Sequence, residues 1–229
     1  MFDLLRLDAL LKAVRHKVLM IVIITTTIAI TPLIFSCENK KLAARKQAAD
    51  LPDTATVVAV IDGDTFVISS GKTARIALID TPESNEPYYD SAAQFLANLI
   101  LDKIVNIKPL PSQTDRYGRI LAEVFIDSIN VGMSILAHGL GVLYLYPEDS
   151  HLKEIYLTLQ QRALREKAGI WSLAEPEPED YYINLKGSYR FHRPLCVHLK
   201  SSNPSKIRRL GSRKEALSRG LSPCRTCKP

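Results

Sequence analysis

From Thr56 onwards, short runs of β-branched and apolar residues alternate with turn residues, a pattern of strands and not of helix. Thr56–Ile61, Thr65–Ser69 and Ala74–Ile79 are the first three such runs. Asp62-Gly63 and Ser70-Gly71 supply turns between them. The period then changes. Ser91–Leu101 predicts a helix with Ala92, Phe95, Leu96 and Leu99 as its apolar stripe, and Ser91 with Gln94 as a capping box. Val105–Leu110 and Ile120–Ile126 predict two more strands. Asn130–His138 predicts a short helix capped by Asn130 and stopped by Gly139. His151–Ala168 predicts a longer one with the stripe Leu152, Ile155, Tyr156, Leu159 and Ala163. Gly169 ends it, and Trp171 is expected to dock against it. Five short strands interrupted by a helix suit a mainly β fold, a small closed barrel of the OB type.

The 229 residues suffice for this barrel and one small accessory module. Residues 55–172 are assigned to the barrel and 188–229 to the module. The Pro/Glu-rich stretch 173–187 is read as a linker. Met1–Lys17 is charged, whereas Val18–Phe35 carries no charge. A charged start before an apolar run has the form of an export signal or an N-terminal membrane anchor. Residues 33–37, LIFSC, resemble the lipobox of bacterial lipoproteins, with Cys37 as the lipidated residue. Residues 38–54 then form a tether. Each alternative places the rest of the chain outside the cytoplasm, facing the periplasm or the exterior, and implies a membrane partner.

Charge is distributed unevenly. Residues 51–171 hold 10 Lys/Arg against 15 Asp/Glu, a balance of −5, whereas residues 186–229 hold 12 against one, a balance of +11. Density of this kind on a small module marks a solvated face, a nucleic-acid patch or an anionic-surface patch.

Three segments of the barrel carry chemistry: IDGDT (61–65), RIALIDTPE (75–83) and TDRYGR (114–119). Singly, an Asp-Gly pair is also a plain hairpin turn, and Thr-Pro-Glu also a loop or helix start. Paired strands lie about 4.8 Å apart, so Asp64 and Asp80 can meet if their strands pair. Two carboxylates and a backbone carbonyl are hard oxygen donors, suited to calcium or magnesium. Pro82 restricts Thr81 and aims Glu83. Arg75 and Arg119 can project towards the same carboxylates. Phosphoryl chemistry needs this mixture of guanidinium, carboxylate and hard cation. The domain contains no Cys, and its histidines, His138 and His151, are read as surface or helix-end residues.

In this order and spacing the three segments resemble the staphylococcal nuclease (thermonuclease) family, over roughly residues 55–172 and including GVLYLY (141–146) and GIW (169–171). The resemblance implies a phosphodiester hydrolase of the endonuclease type acting on DNA, and also on RNA. It implies calcium held by Asp64, Asp80 and the Thr81 carbonyl, and Glu83 as the group that orients or deprotonates water. Arg75 and Arg119 would then bind phosphate, and Tyr117 and Tyr144 the nucleotide. The segment after Glu83, SNEPYYDSAAQ, departs from the family in being shorter and lacking lysines.

In the module, His192-x3-Cys196 and Cys224-x2-Cys227 have the spacing of a structural zinc site. A Cys224–Cys227 disulfide with Cys196 free is the alternative. The pattern resembles the metal-binding domain of the Ada DNA-repair protein, with His192 where that family commonly has Cys. His198 is read as a surface residue. Two functions compete on these grounds: a monomeric calcium-dependent nuclease with structural zinc, and a barrel without catalysis that only binds nucleic acid or another partner. The complete set Asp64, Asp80, Glu83, Arg75 and Arg119 favours the enzyme.

Overall fold

The computed structural model describes residues 53–115, 117–145 and 152–229. The apolar segment with Cys37, the tether up to Pro52, Arg116, Tyr146 and His151 lie outside the described residues. Among the described residues no helix is long and apolar enough to cross a membrane.

The β-branched runs form strands β1 (Thr54–Val60), β2 (Thr65–Ile68), β3 (Thr73–Ile76), β4 (Ile79–Asp80), β5 (Ile104–Thr114), β6 (Ile120–Ile126), β7 (Ile129–Asn130) and β8 (Val142–Leu143). Strand β1 pairs antiparallel with β2 and β5, β2 with β3, and β5 with β6. A parallel pairing of β3 with β6, Arg75 opposite Leu121, closes the ring. Closure leaves these five strands without an open edge. Val57, Phe66, Ile68, Ala74 and Val124 are fully buried and fill the interior. This is the expected five-stranded barrel.

The third strand is shorter than expected. The run Ala74–Ile79 breaks after Ile76, and Leu78 turns the chain at φ 67°. Ala77, Leu78 and Ile79 are wholly buried there, and that packing holds a bulky residue in the left-handed region. The break sends Ile79–Asp80 out of the barrel to pair with Val142–Leu143.

Helix α1 (Tyr89–Ile100) buries Ala92, Leu96 and Ile100. The expected capping box does not form. The helix starts two residues before Ser91, behind Tyr88 at φ 68°, and Gln94 donates instead to Asn98 at 2.8 Å. Helix α2 (Val131–Ala137) is capped as expected, with Asn130 Oδ1 accepting from the Met133 amide at 3.0 Å. Helix α3 (Lys153–Arg165) buries Tyr156, Leu157, Gln160 and Ala163, while Ile155 is 52 % exposed. Its buried face is therefore rotated from the apolar stripe, because Gln160 turns inward to accept from the Leu143 amide at 2.7 Å. Past α3 the chain crosses Gly139 at close range. A Cβ on Gly169 would stand 2.2 Å from the Gly139 carbonyl oxygen.

The C-terminal module packs on the barrel within one unit. Its strands β9 (Tyr182–Leu185), β10 (Arg190–His192), β11 (Ile207–Leu210) and β12 (Ser222–Pro223) lie in the order β11-β9-β10-β12, with helix α4 (Arg213–Ser218) alongside. Strand β9 begins inside the stretch read as linker. Tyr182, Phe191, Leu210, Ala216, Leu217 and Leu221 form the module's core. Leu164 of α3 and Trp171 pack against that core. Trp171 thus joins barrel to module and does not merely dock its own helix.

Candidate active site

The turn after β1 places the first carboxylate. Asp62 Oδ1 accepts from the Asp64 amide at 3.0 Å, an Asx turn that fixes Asp64 at the start of β2. Gly63 is required by close approach, since a Cβ there would meet Ala92 Cβ at 2.6 Å and Thr81 Cβ at 2.9 Å. Asp64, Arg75 and Asp80 are all buried, at 4, 6 and 6 % exposure. The Arg75 Nη2 donates to Asp64 Oδ2 and to Asp80 Oδ1, both at 2.9 Å. Asp64 and Asp80 therefore meet through a guanidinium and not by direct pairing of their strands. The Thr81 amide also donates to Asp64 Oδ2, at 3.3 Å.

Burial is the largest influence on both carboxyls and favours the neutral acid. For Asp64 it prevails over Arg75 and, with Asp62 and Asp80 nearby, raises the carboxyl above its ordinary value. For Asp80 the guanidinium of Arg225, then Arg75 and Arg190, outweigh burial and hold it below.

The third segment reaches the pair indirectly. Arg119 donates to Asp115 at 2.8 Å and to Thr65 Oγ1 at 3.1 Å, and Thr65 donates to Asp64 Oδ1 at 2.9 Å. Tyr117 is 68 % exposed at the rim, with Arg119 over its ring at 5.5 Å. Tyr144 is half-buried and carries Arg190 over its ring at 4.5 Å. Glu83 is exposed at the mouth. Segments far apart in sequence thus line one cleft of about 670 Å³.

Four of its important side chains escaped the sequence reading. Thr65 and Asp115 sit inside quoted segments, and their roles as intermediaries appear only in three dimensions. Arg190 and Arg225 come from the module. Arg190 donates to Asp80 Oδ2 at 3.0 Å. Arg225 pairs with Asp80 and with Glu83, and lies 3.4 Å from the Thr81 carbonyl. The only sequence signal for them was the module's basic charge.

The donor chemistry fits a hard cation. Asp64 and Asp80 are buried carboxylates bridged by Arg75, and with the Thr81 carbonyl they make a set of hard oxygen donors, of which Arg225 contacts Asp80 and the carbonyl. A divalent cation would be held by these donors.

A second donor set lies in the module. The ligand atoms of His192, Cys196, Cys224 and Cys227 all fall within 4.8 Å of one another. His192 Nδ1 stands 3.4 Å from Cys196 Sγ. The three thiols are free, in contrast to the disulfide alternative. Burial, then His198 and Arg190, lowers His192 and keeps its imidazole neutral, the form that binds metal. Burial pushes the Cys227 thiol up to about 12. The Cys224 thiol is lowered, because amides of Cys227 and Thr226 donate to it and outweigh burial. A tetrahedral metal would find four soft or borderline ligands here and no open position. His198 is exposed, as expected, and contacts Thr226 at 2.8 Å.

The model of a family described as "Staphylococcal nuclease homologue" matches residues 73–173. An "Uncharacterized endonuclease" of Escherichia coli is 36% identical over 126 residues, covering 53% of this chain and 79% of that protein. One of the same description from Haemophilus influenzae is 27% identical over 178 residues, 74% of this chain and 91% of that protein. The "Thermonuclease" of Staphylococcus intermedius is 28% identical over 159 residues, 65% of this chain and 95% of that protein.

Proposed function

This chain belongs to the staphylococcal nuclease family and is a nuclease hydrolase, and from that premise we propose that it cuts DNA, and also RNA, with calcium at Asp64, Asp80 and the Thr81 carbonyl. The observation that carries this reading is the Asp64–Arg75–Asp80 bridge, which gathers two buried carboxylates below an exposed one, Glu83. Calcium at these donors would supply positive charge to a phosphoryl oxygen.

The residues have separable tasks. Water attacks phosphorus and gives its proton to Glu83, and the P–O ester bond breaks as the new one forms, its electron pair leaving on the sugar oxygen, which takes a proton from solvent. Glu83 suits the task because it is exposed and reaches solvent, unlike the buried aspartates. Arg119, anchored by Asp115 and Thr65, presents a fixed guanidinium to the equatorial oxygens. Arg75 is committed to both aspartates and keeps them together while it adds positive charge below the phosphate. Exposed Tyr117 and half-buried Tyr144 offer ring faces to bases.

Zinc at His192, Cys196, Cys224 and Cys227 would staple the module. The segment 1–37 would hold the protein at a membrane, exported, with Cys37 as the lipid site. The mass of the mature N-terminus tests that part.

The nuclease reading is tested with the full chain on single-stranded DNA and RNA, with calcium and with chelator, beside Glu83→Gln. Calcium-dependent cleavage that falls by about 10² or more in the variant supports it. Nucleic-acid binding without cleavage in the parent chain would sink it and favour a pure binding module.

A further inference from the structure

The barrel alone is badly charged for its substrate. Among the described residues, five carboxylates line the cleft (Asp62, Asp64, Asp80, Glu83 and Asp115), against two barrel guanidiniums, Arg75 and Arg119. One divalent cation would still leave that wall net negative. Two further guanidiniums that line the cleft, Arg190 and Arg225, come from the module and, with the cation, change the sign. Both lie beyond residue 173, where the family match ends.

We infer that Arg190 and Arg225 are substrate-binding residues, a second phosphate clamp that the Cys/His module delivers to the cleft, with metal at the cluster holding Arg225 in position. The inference rests on the nuclease reading and adds to it a role for the module.

The geometry of each arginine supports this. Arg190 is built in: its Nη1 donates to the Pro223 carbonyl at 2.7 Å, its Nη2 reaches Asp80 at 3.0 Å, and its plane lies over Tyr144. A guanidinium held this way loses little freedom when it takes a phosphate. Arg225 lies inside the Cys224-x2-Cys227 knuckle, so whatever binds the two sulfurs fixes the backbone that carries it. Its head reaches Asp80 and Glu83, and its side chain is 39 % exposed. Lys228 pins the following residues to the barrel through Glu86 at 2.8 Å. The two heads form part of the wall of the cleft and leave it open at about 670 Å³. Arg225 rests on Asp80, Glu83 and the Thr81 carbonyl, the groups assigned to calcium and the attacking water, so the clamp requires its head to turn from them to the phosphate.

The test uses the full chain carrying Glu83→Gln, so that a labelled single-stranded oligonucleotide is bound and not consumed. Fluorescence anisotropy is measured over a salt series for added Arg190→Ala, Arg225→Ala, Arg225→Lys and, as a control, Arg208→Ala, an exposed arginine outside the cleft. Loss of a charged hydrogen-bond donor should weaken binding about tenfold or more. The slope of log K against log salt should fall by about one for each Arg→Ala. Arg225→Lys should recover the slope, and Arg208→Ala should change binding least. Zinc is followed by elemental analysis. Its removal should weaken binding as Arg225→Ala does, with little further loss when both are combined.

Unchanged affinity and salt slope in Arg190→Ala and Arg225→Ala would overturn the clamp. So would tighter binding, or faster cleavage when Arg225→Ala is placed in the parent chain, since that is the signature of an inhibitory plug. If Arg225→Ala fails to fold, Arg190→Ala still decides. A parent chain that cleaves nothing defeats the nuclease reading separately.

Discussion

Arg190 and Asp80 are separated by 110 residues of chain and joined by a 3.0 Å ion pair, with Asp80 only 6 % exposed on its side chain. The pair ties the module to the carboxylate at the centre of the cleft. Together with Arg225 and Arg75 it also ties folding stability to the protonation of Asp80.

The direction follows from linkage. Asp80 is held below its ordinary value of 3.8, with burial opposed by Arg225, Arg75 and Arg190. Its ionised form therefore contributes stability that is fully present above 3.8 and is lost as pH falls through the lower folded value. Thermal unfolding should show a midpoint that declines below about pH 4. In Asp80→Asn that portion of the decline should be absent. An unchanged acid limb in the variant would show that Asp80 is not the linked group.

Arg119 acts through its anchors. Arg119→Lys keeps a charge but cannot hold Asp115 and Thr65 together in the same fork. Single-turnover cleavage should fall about 10²-fold with binding nearly unchanged. A loss confined to affinity would place Arg119 in ground-state binding only.

Gln160 is 1 % exposed and satisfies the Leu143 amide of β8, the partner of the strand that carries Asp80. Gln160→Leu leaves that buried donor unpaired. Urea denaturation should show a loss of about 1–3 kcal/mol. A neutral result would mean that water replaces the side chain.

Gly169 has φ +53° and sits against the Gly139 carbonyl. Gly169→Ala meets both the left-handed backbone and the contact, so a destabilisation of about 1–3 kcal/mol is expected. A smaller shift in thermal midpoint than in Gly71→Ala, where φ is also positive but the space is open, would contradict the crossing as the cause.

For the module, Cys196→Ser or chelation of zinc should release metal and lower the unfolding midpoint of the module's core around Phe191. Full thermal stability with no bound metal would leave the cluster without a structural role.

Local rules made the barrel legible. The β-branched runs, the Asp62-Gly63 turn and the Asn130 cap follow from short-range sterics and hydrogen bonding, and these operate within a few residues of sequence. The same rules failed where burial overrode propensity. Leu78 adopts φ 67° because Ala77 and Ile79 are packed on either side, and Gln160 points inward to accept from a strand amide. The capping box at Ser91 was a correct local pattern that lost to a helix start fixed upstream at Tyr88.

By itself, the sequence determined the carboxylates, the arginines of the three barrel segments, the His/Cys spacing and the contrast between an acidic barrel and a basic tail. These are chemical identities, and residue types and short spacings carry them. Only the tertiary structure decided that Arg75 bridges the two aspartates, that Thr65 relays Arg119 to Asp64, and that Arg190 and Arg225 reach Asp80. Each is a contact between distant elements. Its existence depends on how the barrel closes and how the module packs on Leu164 and Trp171, and no local period or motif encodes that packing.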